Sequence, residues 1–169
     1  GQPGNLPKCL NQAISQLTGL NGIKASEIWL ASEEASRLDL ITYSIQNEEF
    51  SLFHQNSKDR TSFTKGLGLP GYVWKKNSPV LWEDLPNKKE FVRKSAVESA
   101  NFNTAMGFPI AYNNEFIGCI VCFSTNQEDE ILEEYNLLAE VTQLLGPVVK
   151  QKITEEEYRN FFNISPDPH

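Results

Sequence analysis

The chain has 169 residues, 40% of them hydrophobic, which supports one folded domain with room for a short tail. Its formal net charge of −7 argues against nucleic acid and anionic membrane surfaces as partners, because an acidic chain does not neutralise phosphates. No apolar run approaches the roughly 20 residues that span a bilayer, and three cysteines, an odd number, give no disulfide framework, so the expected compartment is reducing and cytoplasmic.

After a loose start at Gln2–Asn5, Leu6, Leu10, Ile14 and Leu17 fall on one helical stripe, widened by Cys9 and Ala13, with Gly19 as a stop. Ser26–Ser32 reads as a strand, with Ile28 and Leu30 on one face and Trp29 and Ala31 on the other. Arg37–Gln46 reads as a second strand, with Leu38 and Leu40 opposite Asp39, Ile41, Tyr43 and Ile45. Phe50–His54 reads as a short third strand. The short polar turns between these runs imply antiparallel pairing.

The stretch Lys65–Leu85, KGLGLPGYVWKKNSPVLWEDL, organises the rest. Gly66, Gly68 and Gly71 match G-x-G-x-x-G, but the preceding residues are polar apart from Phe63. Without an apolar strand leading in, the dinucleotide fingerprint is rejected. Pro70 suits a first helical turn, and Tyr72, Val73 and Trp74 continue it until Ser78-Pro79 stops it. Val80–Trp82 is a short extended run. A loop, a short bulky helix and an edge-like strand together describe a lid over a sheet.

Asn87–Asn101 reads as an amphipathic helix. Val92, Ala96 and Ala100, with Phe91 and Val97, form its apolar side. Lys88, Lys89, Glu90, Arg93, Lys94 and Glu98 form its solvated side, with anion guidance as the alternative for the basic residues. Phe102–Tyr112 alternates bulky residues (Met106, Phe108, Ile110) with small ones (Ala105, Gly107, Pro109, Ala111), so something approaches closely on the small side. Pro109 belongs at a bulge or where pairing stops. Asn113-Asn114 is a hairpin turn, and Phe116–Phe123 is a central strand covered on both faces. Asn126 is the expected cap of a final helix with an acidic first turn. Its residues Ile131, Tyr135, Leu138, Val141, Leu145 and Val148 form a heptad-like seam that Gly146-Pro147 kinks.

Three pieces in order, GLPGYVW with SPVLWEDL, AMGFPIA at Ala105–Ala111, and FIGCIVCF at Phe116–Phe123, resemble the GAF domain family across Leu6–Lys150. The resemblance implies an α+β fold. A GAF/PAS-like antiparallel sheet of five or six strands would carry the N- and C-terminal helices on one face and a lid of short helices and loops on the other. The segment Glu157–Asp167 (EYRNFFNISPD) is similar to the opening of a PAS domain. The expected division is therefore a GAF domain over 1–152, then a linker and the start of a truncated PAS domain over 153–169. GAF followed by PAS is a layout of bacterial two-component sensor histidine kinases, so the resemblance implies a sensory, signal-relaying module rather than an enzyme, any kinase activity lying elsewhere in the full-length protein.

No catalytic constellation is legible. His54 and His169 stand apart, and no Asp or Glu is placed beside a nucleophile. Cys119 and Cys122 are three apart on a strand and point to opposite faces, which suits neither a disulfide nor a metal grip, so no metal site is expected. Bilin-binding GAF members carry cysteine followed by histidine after the lid. Asn87–Asn101 has neither, which argues against covalent bilin. The phosphodiesterase-type nucleotide signature is echoed by Asn87 and Lys88 alone. Free methionine sulfoxide reductases share the fold, and a small redox enzyme using Cys119 or Cys122 is the alternative reading. The candidate pocket is Trp74, Trp82, Phe91, Phe102, Ala105 and Phe108, an aromatic set that either cages a small molecule or fills a core. The candidate homodimer seam is Leu10, Ile14, Leu138, Val141 and Leu145.

Overall fold

A computed structural model describes residues 5–162. The first stripe folds as its spacing directs. Helix α1 (Asn5–Thr18) buries Leu6, Leu10 and Ile14 against the sheet. Six strands follow: β1 (Ala25–Ala31), β2 (Leu38–Ile45), β3 (Ser62–Phe63), β4 (Val80–Trp82), β5 (Thr104–Tyr112) and β6 (Glu115–Ser124). They form one antiparallel sheet in the order β3-β2-β1-β6-β5-β4. The expected α+β architecture is the one observed. Asn113 and Asn114 both adopt positive φ, 51° and 65°, the geometry that a two-residue hairpin loop needs to match strand twist.

The sheet separates two cores. On one face lie α1, α5 (Glu128–Val141) and α6 (Leu145–Phe162), over Ile28, Met106, Phe108, Ile120 and Cys122. On the other lies the lid, made of α2 (Ser51–Gln55), α3 (Gly68–Lys76), α4 (Lys94–Ala100) and their loops, over Trp29, Ala105, Cys119, Val121 and Phe123. What approaches the small side of β5 is α3. A Cβ on Gly107 would overlap the Val73 side chain. Pairing with β4 ends at Gly107, so the missing N–H of Pro109 falls beyond that ladder.

Several expectations are corrected. Phe50–His54 is a 3-10 turn running into α2. Asn47 accepts a hydrogen bond from the Glu49 N–H and starts the turn, while Phe50 and Phe53, three apart, bury one helical face. In β2 the register shifts at Ile41, which resets the alternation, so Ile45 packs on the lid side with Leu38 and Leu40. The helix expected over Asn87–Asn101 is α4 alone. Residues 88–93 are irregular, and in that stretch Phe91 and Arg93 turn inward while Val92 is exposed. Gln127, not Asn126, caps α5, in a reciprocal box with Glu130. The kink near Gly146-Pro147 takes the form of a 3-10 turn at Thr142–Leu144, and α6 restarts with Pro147 in its first turn. Helix α6 then runs unbroken across the expected division at 152/153. The rest of the PAS-like segment, 163–167, lies outside the described residues.

Candidate functional site

The lid-side core is built on charge as well as aromatic packing. Glu27 and Trp29 are two apart on β1 and so share the face beneath the lid. The Trp29 indole N–H donates to Glu27 Oε1 at 3.1 Å. Arg93, at the end of the irregular 88–93 segment, donates from Nη1 to Glu27 Oε2 at 2.8 Å and from Nη2 to Oε1 at 3.0 Å. This is a two-pronged pair with both side chains withdrawn from water, 4% exposed for Arg93 and 2% for Glu27. Five rings surround the guanidinium carbon at 5.3–5.9 Å: Trp29 of β1, Phe53 of α2, Phe63 of β3, Phe91 of the irregular segment and Phe123 of β6.

Of the pocket residues expected from sequence, Trp82, Phe91, Phe102 and Ala105 belong to this core, and only Phe91 touches the guanidinium. Phe102 stacks on Phe123 at 5.4 Å and borders a shallow surface hollow with Pro86, Val97 and Asn103. Trp74 sits at the rim, half-buried, stacked on Phe116 at 5.6 Å. Phe108 does not join them. It is three residues from Ala105 on an extended strand, so it faces the helix layer and packs against Tyr135. Sequence reasoning missed Glu27, Trp29, Phe53, Phe63 and Phe123 as site residues, and set Arg93 in solvent because a helical phase was carried back through residues that are not helical. A lone Glu inside the apolar run Ala25–Ala31 was the available signal, since a carboxylate on a buried strand requires a partner.

The dimer-seam residues also divide. Leu10, Ile14 and Leu138 are core, and Leu145 is partly buried against the same cluster, so these four face the sheet and not a partner. Val141 is exposed. With Leu137, Leu144 and Val148 it forms an exposed stripe at spacings of four, three and four, which keeps Val141 and Val148 of the expected seam and has Leu137 and Leu144 in place of Leu138 and Leu145.

Cys119 and Cys122 lie in opposite cores, both fully buried. Burial pushes the Cys119 thiol far up, Glu27 adding to the effect and Arg93 opposing it. Burial pushes Cys122 up to about 12, against a hydrogen bond from Ser26. Among the described residues no cluster of three His, Cys, Asp or Glu could hold a metal, and no helix is long and apolar enough to cross a membrane.

A sequence profile described as "GAF domain" matches residues 5–149. The chain belongs to the GAF domain family. Among curated proteins, none matches it in sequence. Solved structures similar to this GAF domain share its fold at low identity. The GAF domain from a phosphoenolpyruvate-protein phosphotransferase of Coxiella burnetii is 17% identical over 90% of this chain and 86% of its own, with a TM-score of 0.70. The GAF domain of a two-component sensor histidine kinase from Bacillus halodurans is 17% identical over 88% and 95%, with a TM-score of 0.68. Type II free methionine-R-sulfoxide reductase from Thermoplasma acidophilum is 16% identical over 87% and 94%, also at 0.68. One fold thus occurs both as a domain of a sensor histidine kinase and as a methionine sulfoxide reductase, and the choice between such roles rests on the side chains of this chain.

Proposed function

We propose that this GAF domain is a non-enzymatic relay module of a sensor histidine kinase or a related signalling protein, acting as a homodimer through its last two helices. The observation that carries the reading is the exposed stripe Leu137, Val141, Leu144 and Val148, with Leu144 71% exposed. Apolar residues at this spacing on consecutive helices are the pattern by which helices pair. Facing them inward is not available, because an adjacent side of the same helices already packs Ile131, Leu138 and Val149 on the sheet. The similarity to the Bacillus halodurans kinase domain supports the signalling context. A change in the lid would reach the stripe through β5, which touches α3 on one face and α5 and α6 on the other.

Sedimentation velocity at tens of micromolar tests the reading. The wild type is expected as a dimer, and Leu137→Glu/Leu144→Glu as a folded monomer with unchanged circular dichroism. A monomeric wild type would overturn it. The redox alternative requires a reachable thiolate, and buried thiols with raised pKa values are poor nucleophiles. Cys119 and Cys122 are therefore expected to resist alkylation until the protein unfolds. Their rapid labelling in the native protein, read by mass spectrometry, would restore the enzyme reading.

A further inference from the structure

We propose that the space under the lid is a binding site for an organic cation of the guanidinium or alkylammonium class, and that Arg93 is its resident occupant. An ordinary buried ion pair needs only its two partners. Here five rings from five separate segments converge on one guanidinium, each within 5.9 Å. Glu27 meets it with both carboxylate oxygens. The Trp29 N–H holds one of those oxygens from the side. Aromatic walls closed by one two-pronged carboxylate are the chemistry that recognises a planar or substituted cation.

The walls and the occupant also stand on different kinds of structure. Glu27, Trp29 and Phe123 lie on the two central strands, with Phe63 on the edge strand and Phe53 on α2. Arg93 lies on the irregular 88–93 segment, at the N-cap position of the seven-residue α4, and its side chain makes no capping hydrogen bond there. Withdrawal of that segment takes Phe91 with it and leaves four rings and the carboxylate in place. In the wild-type chain the site is therefore self-occupied. A diffusible cation competes with a tethered one, and if the site is open about 1% of the time its apparent affinity falls about a hundredfold.

The test replaces the tether by the free ligand. Arg93→Ala is titrated with methylguanidinium chloride below about 20 mM, where general denaturation is negligible. Sodium chloride and the uncharged isostere urea are titrated in parallel. Thermal midpoint and intrinsic tryptophan fluorescence, to which Trp29, Trp74 and Trp82 all contribute, are the readouts. The expected result is a saturable rise in the midpoint of Arg93→Ala with methylguanidinium alone. The wild type should respond about a hundredfold more weakly or not at all, and Glu27→Gln/Arg93→Ala should not respond. If Arg93→Ala is unfolded by itself, the same titration is read as recovery of folding, with the same three controls. Equal effects of methylguanidinium, urea and salt, or no effect of any, would overturn the cation site. A wild type as responsive as the variant would overturn self-occupancy. The outcome is independent of the dimer, since the stripe at 137–148 lies on the opposite face of the sheet.

Discussion

Arg93 and Glu27 set a sharp condition on single substitutions. Removing one partner leaves the other charged, buried and ringed by carbon, which costs about 3–5 kcal/mol. Arg93→Met and Glu27→Gln should each lose that much in urea denaturation. The double variant Glu27→Gln/Arg93→Met removes both charges at similar volume and should recover a large part of it, so the two effects are strongly non-additive. Additive losses would show that the pair is not coupled. His54 offers a second residue-scale test. It stacks on Tyr43 at 3.5 Å, and desolvation lowers its pKa, opposed by Glu27 and reinforced by Lys58. In the unfolded chain it takes up its proton near the ordinary value of about 6.5, while in the folded chain it resists until lower pH. Between those values the unfolded state binds more protons, so stability should fall as pH drops from 7 through the mid-6 range. The same titration on His54→Gln should show a flatter curve there, and an unchanged slope would assign the effect to other groups.

Elements with a clear period were legible, and those whose period changes partway were not. The alternation of large and small residues on β5 announced a close neighbour, and α3 is that neighbour across Gly107. The paired asparagines announced the β5–β6 hairpin. The candidate site was read only in part, because its central pair comes from residues 66 positions apart and one of them sits in a segment without any period. Local pattern carries no information about such a pair. Phase also explains the misplaced seam. A heptad pattern on a helix lying on a sheet reports the buried stripe first, and the exposed stripe, which shares Val141 and Val148 with the expected seam, has nearly the same spacing. The restart of α6 gives an element-scale prediction. A Cβ on Gly146 would overlap the Ala111 carbonyl oxygen, which is backbone and cannot rotate away. Gly146→Ala should therefore destabilise by about 1–3 kcal/mol, despite its better helix propensity. Gly107→Ala meets a side chain, Val73, and should cost less. Denaturant midpoints compare the two, and the reverse order would mean that α6 is free to slide on β5.

At the scale of the whole molecule, the two faces of α5 and α6 make opposite demands, and adjacent residues separate them. Leu138 is 1% exposed and Leu137 is 48% exposed. A glutamate at 138 buries a charge in the helix-side core and should unfold the domain at any protein concentration. A glutamate at 137 or 144 meets only water in the monomer and should leave its intrinsic stability within about 0.5 kcal/mol of the wild-type monomer's. Its effect should fall on assembly instead. Dimerisation adds stability by mass action, so the wild-type thermal midpoint should rise with protein concentration, whereas that of Leu144→Glu should not. This dependence separates the proposed pairing of the exposed stripe from a stripe that is merely apolar, because an unpaired surface gives a midpoint independent of concentration in both proteins. It also bears on relay: a module whose folded stability is linked to its partner copy can pass a change at the lid side to whatever follows α6 only while the stripe is engaged. Leu144→Glu in a full-length protein should then keep the fold and lose the response.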